Sequence, residues 1–136
     1  MNAVDTNIFV YSISVDDPVR RAAATALISS LNPAETVLLW QVASEFTAAA
    51  TKHARQGRLL GKLDDVVRSV HGQFPLVVPR PRVLTRALEI HLGFQVSYWD
   101  AALIAACSEA GVKVLYSEDL QSAPVIDGVR IVSPFA

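Results

Sequence analysis

The sequence has few of the residues on which several common classes of protein depend. Its only cysteine, Cys107, excludes an internal disulfide and is typical of a reducing compartment. No apolar run approaches the roughly 18 residues of a membrane span, and no basic segment precedes an apolar one at the N-terminus, as it does in a signal peptide. The histidines have no zinc-like spacing with Cys107, which argues against a structural zinc site. These absences predict a cytoplasmic protein without a membrane anchor.

The length and composition favour a single α/β domain. A chain of 136 residues is long enough to bury about two-thirds of the surface that it exposes when unfolded. Apolar residues make up 51% of it and charged residues 18%, which suits a sheet that helices cover on both faces. No repeat, low-complexity tract or linker divides the sequence. We therefore predict one domain over residues 1–136, with some apolar surface left for a partner to cover.

Basic residues are concentrated in the middle of the chain, although the net charge is only −1. Between Lys52 and Arg86 the only acids are Asp64 and Asp65, whereas acids outnumber bases outside this window. Such a region is most often a solvated helix face, but it also suits the binding of a polyanion. The bases of the window are Lys52, Arg55, Arg58, Lys62, Arg68, Arg80, Arg82 and Arg86.

Turn residues and apolar periodicity divide the chain into alternating strands and helices. Short β-branched and leucine-rich runs predict the strands, and the longer segments between them have apolar residues at helical spacing. Proline and glycine residues mark most of the borders. The predicted strands are residues 3–5, 36–40, 76–78, 112–116 and 129–132, and the predicted helices are residues 19–31, 41–56, 59–74, 82–91 and 101–110.

Four acidic residues have the same kind of position in this arrangement. Asp5 ends the first strand and Asp119 follows the fourth, whereas Glu45 and Asp100 fall in the first turns of helices. Each acid alone can be explained as a cap, a turn residue or a favourable charge near a helix N-terminus, and Ser97 with Asp100 matches a capping box. Strand ends and helix starts nevertheless converge on one edge of a parallel sheet, where ligands bind in such folds.

Four carboxylates that meet at one edge need a compensating cation. Ionised carboxylates do not crowd together without one, and their hard oxygen atoms select Mg²⁺ or Mn²⁺ over zinc. A substrate that brings its own negative charge, such as a phosphodiester, suits a site of this kind. The acids therefore predict hydrolysis of a phosphodiester by a metal-activated water.

The four acids lie within motifs that occur in a fixed order. These are Asp5-Thr6-Asn7, Gln41-Val42-x-x-Glu45-Phe46, Ser97-Tyr98-Trp99-Asp100-Ala101 and Leu115-Tyr116-Ser117-Glu118-Asp119-Leu120-Gln121. The set resembles the motifs of PIN-domain proteins, in particular the VapC-type toxin ribonucleases of bacterial toxin–antitoxin pairs, and it spans essentially the whole chain. Two segments depart from the pattern, since related sequences tend to have Asn-Pro-Phe at Ser133-Pro134-Phe135 and a glycine within Ser122-Ala123-Pro124.

The resemblance implies a three-layer α/β/α fold with a parallel five-stranded sheet of order 3-2-1-4-5. It also implies a Mg²⁺-dependent endoribonuclease, with Mn²⁺ able to substitute, that forms a homodimer and is inhibited by a small antitoxin protein. Thr6 and Ser117 match auxiliary hydroxyls, and Asn7 matches a residue that orders the loop. The positions that match the catalytic and metal-binding acids of the family are Asp5, Glu45, Asp100 and Asp119.

Two assignments stay open at the level of the sequence. Glu118 adjoins Asp119 and could replace it as a metal ligand. Basic residues on the predicted helical pair 41–56 and 59–74 would contact RNA phosphates, and such contacts position a substrate without reading its sequence. The best candidates for them are Arg55, Arg58 and Lys62.

Two other functions compete with the nuclease. A phosphoryl-accepting receiver domain shares the length, the parallel sheet and an acidic pocket, but it needs paired acids after the first strand and a lysine after the last. Here Asp5 ends the first strand and is followed by Thr6 instead of a second acid, and Lys113 falls at the start of the fourth strand instead of after the last. A non-catalytic PIN-like scaffold that binds RNA or protein is the stronger alternative, although the presence of all four acids argues against it.

Overall fold

The computed structural model describes residues 1–120 and 124–135, which form six short strands, six α-helices and one 3₁₀ helix. Gln121, Ser122 and Ala123, which belong to the fourth motif and to one of the departures, lie outside the described residues. The strands are β1 (Asn2–Val4), β2 (Leu38–Leu39), β3 (Leu76–Val77), β4 (Val114–Tyr116), β5 (Val125–Ile126) and β6 (Val129–Val132). The α-helices are α1 (Thr6–Ile13), α2 (Pro18–Ser30), α3 (Trp40–Arg55), α4 (Leu63–His71), α5 (Arg82–Phe94) and α6 (Tyr98–Glu109), and the 3₁₀ helix is Pro33–Glu35.

The strands form two sheets. The larger sheet has the order β1-β4-β6-β5, with β4 parallel to both β1 and β6 and with β5 antiparallel to β6. The smaller sheet pairs β2 with β3 in parallel. An isolated bridge between Asn2 and Thr36 joins the two sheets, and there the N–H of Val37 donates to the carbonyl of Asn2 at 2.9 Å.

The predicted α/β class is confirmed, but the prediction of one parallel five-stranded sheet of order 3-2-1-4-5 is wrong. β2 is short because α3 begins at Trp40, directly after it, and Pro75 and Pro79 confine β3 because proline cannot donate to a ladder. The additional strand β5 enters through a tight hairpin at Asp127 and Gly128. These two residues have φ values of 51° and 77°, as a two-residue type I′ turn requires, and such a turn makes its strands antiparallel.

The observed helices agree with the predicted ones to within a few residues, except at two places. The predicted helix 59–74 is reduced to α4, because Leu59 forms an antiparallel bridge with Ser14 and the N–H of Leu60 donates to the carbonyl of Ile13 at 2.9 Å. α1 was not predicted, because it starts directly after β1 without a loop to announce it. Within the described ranges, no helix combines the length and the apolar run needed to cross a membrane.

The core holds the ends of β1 and β4 side by side. Ala3 and Leu115, which are register partners in these strands, are both fully buried, as is Ile104 of α6. Phe9 of α1 meets the ring of Phe46 of α3 edge-on at 6.1 Å. Burial of each such large side chain contributes about 1.5–3 kcal/mol. This packing fixes the residues that follow the two strands, Asp5 and Ser117.

Candidate functional site

The carboxylate of Asp5 lies where β1 ends and α1 begins. Its backbone N–H donates to the carbonyl of Tyr116 at 2.9 Å, which extends the pairing of β1 with β4 by one residue. Oδ1 accepts the N–H of Thr6 at 2.7 Å and caps α1. Oδ2 accepts the hydroxyl of Ser117 at 2.8 Å. Both oxygens are therefore oriented, one by the start of the helix and the other by the end of β4.

Ser117 connects Asp5 to Asp119. Its side chain is fully buried, and its hydroxyl oxygen accepts the N–H of Asp119 at 3.3 Å while the same hydroxyl donates to Asp5. The side-chain amide of Asn7 donates to Oδ2 of Asp119 from the first turn of α1. Two of the predicted acids are thus joined through Ser117, and a second predicted auxiliary residue, Asn7, holds one of them.

Glu45 reaches the same group of residues from α3. The buried hydroxyl of Thr6 donates to Oε2 of Glu45 at 3.4 Å, and the amide of Gln41, one turn earlier in α3, donates to Oε1 at 2.9 Å. The prediction that Glu45 falls in the first helical turn is wrong, because α3 begins at Trp40 and has no acid in its first turn. The helix dipole therefore contributes little at Glu45, since its effect fades after the first turn.

Asp100 lies in the first turn of α6. Its backbone N–H donates to Oγ of Ser97 at 3.1 Å, so the serine caps the helix as the sequence predicts. The carbonyl of Trp99 accepts the amide of Gln41 at 3.2 Å. Gln41 thereby links Glu45 to the residue that precedes Asp100, and it brings the starts of α3 and α6 together.

The charges of the acids act on one another. The pKa of Asp5 is raised, mainly by burial and further by the charges of Glu45 and Asp119, against the opposing hydrogen bonds from Ser117 and Thr6. The pKa of Asp119 is also raised, mainly by burial and then by Glu118 and Asp100, against the bond from Asn7. All four predicted acids therefore share one negatively charged neighbourhood.

The carboxylate oxygens of these four acids suit a hard divalent cation. In the described residues, however, the carboxylates are not gathered around a common point. In residues 1–120 and 124–135, none of the four acids forms an ion pair with a basic side chain, so no cation within these ranges pairs with them directly. In the same ranges, no three acidic, histidine or cysteine side chains are grouped closely enough to hold a metal. Three of the carboxylates instead accept hydrogen bonds from side-chain hydroxyls and amides.

Gln41, Tyr11 and Arg20 belong to this neighbourhood and were not assigned a role from the sequence. Gln41 contacts Glu45, and the hydroxyl of Tyr11 donates to Oε1 of Glu118. Nε of Arg20 lies 3.4 Å from Oε2 of Glu118. The spacing of four residues between Asn7 and Tyr11 could have shown that both face the same way from a helix, had α1 been predicted.

The three predicted RNA-binding residues have different surroundings. Arg55 is the exposed last residue of α3, and Lys62 is exposed immediately before α4. Arg58 is half-buried, and its guanidinium pairs with Asp16 and with the side chain of Gln56. Arg55 and Lys62 are therefore the more accessible to a polyanion.

Comparison with known proteins identifies the family. The family model described as PIN domain matches residues 3–124, whereas no curated protein matches the chain. VapC20 of Mycobacterium tuberculosis, described as a Sarcin-Ricin loop cleaving toxin, superposes with a TM-score of 0.72 at 17% identity, over 96% of this chain and 99% of that one. A toxin–antitoxin complex from Klebsiella pneumoniae gives 0.73 at 16% identity, over 99% and 98%.

VapBC2 of Rickettsia felis, solved with a DNA fragment of its promoter, gives a TM-score of 0.68 at 10% identity, over 97% of each chain. At identities this low, the structural superpositions establish a shared fold and nothing more. The family itself is established by the family model, which matches most of the chain. The resemblance stated from the four motifs is confirmed. The chain belongs to the PIN-domain family and shares its fold with VapC-type toxins.

Proposed function

We propose that the protein is a Mg²⁺-dependent endoribonuclease and the toxin of a type II toxin–antitoxin pair, with residues 1–136 forming a single PIN domain. The observation that carries the proposal is the hydrogen-bonded chain Glu45–Thr6–Asp5–Ser117–Asp119, which joins acids from three elements in a member of this family. Asp100 adds a fourth charge to the same field. The proposal gives these four acids the metal-binding and catalytic roles.

The residues of the chain would orient the acids and keep them ionised. Ser117 and the N–H of Thr6 donate to Asp5, and Asn7 donates to Asp119. Hydrogen bonds of this kind favour the charged form of a carboxylate and oppose the effect of burial. A bound Mg²⁺ or Mn²⁺ ion would supply the Lewis acidity that activates water and stabilises the leaving oxygen. Thr6, Asn7 and Ser117 are thus auxiliary residues in this proposal.

RNA would reach the acids along the basic part of the surface. Arg55 and Lys62 are exposed and would contact phosphates, which raises affinity and makes binding sensitive to salt. Arg58 would first have to leave Asp16 and Gln56, so we expect it to contribute less than the other two. Neutralising Arg55 or Lys62 should weaken RNA binding to a similar extent for RNAs of different sequence.

The partners in this proposal are a second copy of the chain and a cytoplasmic antitoxin. Two of the compared structures contain toxin–antitoxin assemblies. On α5, Leu84, Leu88 and Leu92 follow one another at intervals of four residues, and 66%, 49% and 70% of their surfaces are exposed. An apolar stripe of this kind on one helix face suits burial in a homodimer.

The experiment compares cleavage of total and transfer RNA by the purified chain with Mg²⁺, with EDTA and with the Asp5→Asn variant. We expect cleavage only with Mg²⁺ and a loss of at least about a hundredfold in Asp5→Asn, since a metal-site carboxylate supplies several kcal/mol to the barrier. Asp17→Asn is the matched control, because Asp17 caps α2 as Asp5 caps α1 and asparagine also caps. Undiminished cleavage by Asp5→Asn would refute the assignment.

The same experiment tests the alternative of a non-catalytic scaffold. The open arrangement of the carboxylates is the one observation that favours it. A scaffold would bind RNA with or without Mg²⁺, and the bound RNA would keep its full length. Binding without cleavage by partner-free protein, at Mg²⁺ concentrations that saturate binding, would support the scaffold over the nuclease.

A further inference from the structure

The carboxylate of Glu118 is held on the side of the loop that faces α1 and α2. Tyr11 donates to one oxygen, and Nε of Arg20 lies 3.4 Å from the other. The side chain of Glu118 is only 17% exposed, whereas that of Arg20 is 45% exposed. Both oxygens of Glu118 are therefore committed to partners that lie outside the group formed by Asp5, Glu45, Asp100 and Asp119.

Arg20 is itself held by two aromatic rings. Its guanidinium carbon lies 5.5 Å from the centre of the Tyr11 ring and 5.3 Å from that of Phe135, both within the range of a cation–π contact. The two rings meet edge-on at 5.4 Å. We call Tyr11, Arg20 and Phe135 the Glu118 clamp. Phe135 itself matches the Asn-Pro-Phe pattern of related sequences, and the departure in this segment is Ser133, two residues before it.

The C-terminal segment is folded so that the ring of Phe135 lies against Tyr11 and Arg20. The hydroxyl of Ser133 donates to the carbonyl of Phe135 at 3.1 Å, and its oxygen accepts the N–H of Phe135 at 3.2 Å. This local turn fixes the direction of the phenyl ring. The clamp therefore joins three parts of the chain, α1, α2 and the C-terminal segment, on a single carboxylate.

α1 anchors two consecutive acids of the loop that follows β4. Asn7 donates to Asp119, and Tyr11 donates to Glu118. Because Asn7 and Tyr11 are four residues apart in one helix, they lie on the same face, one turn from each other. The loop is consequently attached to α1 at two successive residues, Glu118 and Asp119.

We propose that Glu118 is a positioning residue and not a metal ligand, because the contacts of its carboxylate fix the loop that carries Asp119. The Glu118 clamp holds Glu118, and Asn7 and Ser117 hold Asp119, the next residue of the same loop. Glu118 is the neighbour of Asp119 in the sequence, but its carboxylate contacts the guanidinium of Arg20. This inference rests on the proposed metal site, so it is tested both with metal and without it.

Mn²⁺ binding to the purified full chain, measured by calorimetry, separates a ligand from a positioning residue. Loss of a residue that orients a ligand weakens metal binding about tenfold or more, so Tyr11→Phe and Glu118→Ala should each do so although neither residue is one of the four proposed ligands. The double variant should be no weaker than Glu118→Ala, because Tyr11→Phe removes a contact that Glu118→Ala already lacks. Glu118→Gln keeps an oxygen that accepts the Tyr11 hydroxyl and should restore part of the affinity. A loss in Glu118→Gln as large as that in Asp119→Asn would overturn the proposal.

Hydrogen exchange of the backbone amides of residues 117–120, followed by NMR in EDTA, tests the clamp without metal. Exchange should accelerate in Tyr11→Phe and Arg20→Ala. It should stay unchanged in Arg21→Ala, the matched control, because Arg21 follows Arg20 in α2 but donates to the carbonyl of Ser14. Unchanged exchange in both clamp variants would overturn the proposal. Accelerated exchange in the clamp variants of a chain that binds no Mn²⁺ would support the positioning role of Glu118 and count against the proposed nuclease function. Thermal unfolding verifies separately that each variant is folded.

Discussion

Replacement of Ser117 by alanine should destabilise the protein in a manner that depends on pH. The hydroxyl of Ser117 is fully buried, donates to Asp5 at 2.8 Å and accepts the N–H of Asp119 at 3.3 Å. The variant loses both contacts. The bond to Asp5 changes with pH because its acceptor titrates, whereas the bond from the backbone N–H does not.

The expected magnitude follows from the charge of the acceptor. A hydrogen bond to an ionised group contributes about 1.5–3 kcal/mol, and one between neutral groups contributes about 0.5–1.5 kcal/mol. Asp5 is only partly buried, so we take the lower half of each range. The cost of Ser117→Ala should then be larger by about 1 kcal/mol when Asp5 is ionised than when it is protonated. For a chain of this size, that is a difference of about 4 °C in the unfolding temperature.

The direction in which the cost of Ser117→Ala changes with pH follows from the pKa of Asp5. Burial first, and then the charges of Glu45 and Asp119, raise this pKa above its usual value. The neutral carboxyl is therefore favoured by folding, and the stability that it contributes at low pH is lost as the pH rises through the raised pKa. Removal of the Ser117 hydroxyl raises the pKa further. The cost of Ser117→Ala must accordingly grow as the pH rises through that range and level off above it.

The measurement is urea unfolding in EDTA at a series of pH values from weakly acidic to weakly basic. Ser14→Ala is the control, because Ser14 is also a buried serine and accepts the N–H of Asp16, two residues later, at 3.2 Å. Its cost should be independent of the Asp5 titration. A cost of Ser117→Ala that does not change with pH, or a Ser14→Ala profile with the same slope, would refute the reasoning.

Three other predictions concern groups around the site. The Cys107 thiol, whose pKa burial raises, should not react with a disulfide reagent in the native protein and should react at once in denaturant; fast native labelling would contradict its burial. The hydrogen bond to Glu118 raises the pKa of Tyr11 to about 12, so it stabilises the fold below pH 10 and the gain disappears between about pH 10 and 12. Glu118→Ala should lower that pKa in an absorbance titration, and an unchanged curve would show that the bond is absent in solution. Phe46→Ala should lower the free energy of unfolding by about 3–5 kcal/mol, seen as a lower urea midpoint at constant slope, because Phe46 is fully buried; a cost below about 1 kcal/mol would contradict the packing.

Local patterns in the sequence were enough to predict most of the elements and the four acids. Proline, glycine and apolar spacing locate α2, α3, α5 and α6 to within a few residues, because these features act on the neighbouring backbone. α1 was not predicted because no turn separates it from β1. The sheet was predicted wrongly because pairing depends on the lengths of distant strands, and β5 has only two residues.

The polar contacts of the site were harder to predict than its acids. Asp5, Glu45, Asp100 and Asp119 each follow a strand or begin near a helix start, and the rules for such positions are local. The bond from Tyr11 to Glu118 joins residues 107 positions apart. Its existence depends on the packing of α1 against the loop after β4, which no local pattern reports. For the same reason, Gln41 was visible only as part of a motif.

The position of Asp5 links its chemistry to the integrity of a helix. One oxygen of this carboxylate caps α1 through the N–H of Thr6. Any ligand that draws this oxygen away competes with the helix for the same lone pairs. By thermodynamic reciprocity, a ligand that loosens the first turn of α1 must bind more tightly when that turn is already loose. If a ligand does draw this oxygen away, a spectroscopic probe in the first turn of α1 would detect its binding without any change to the acids.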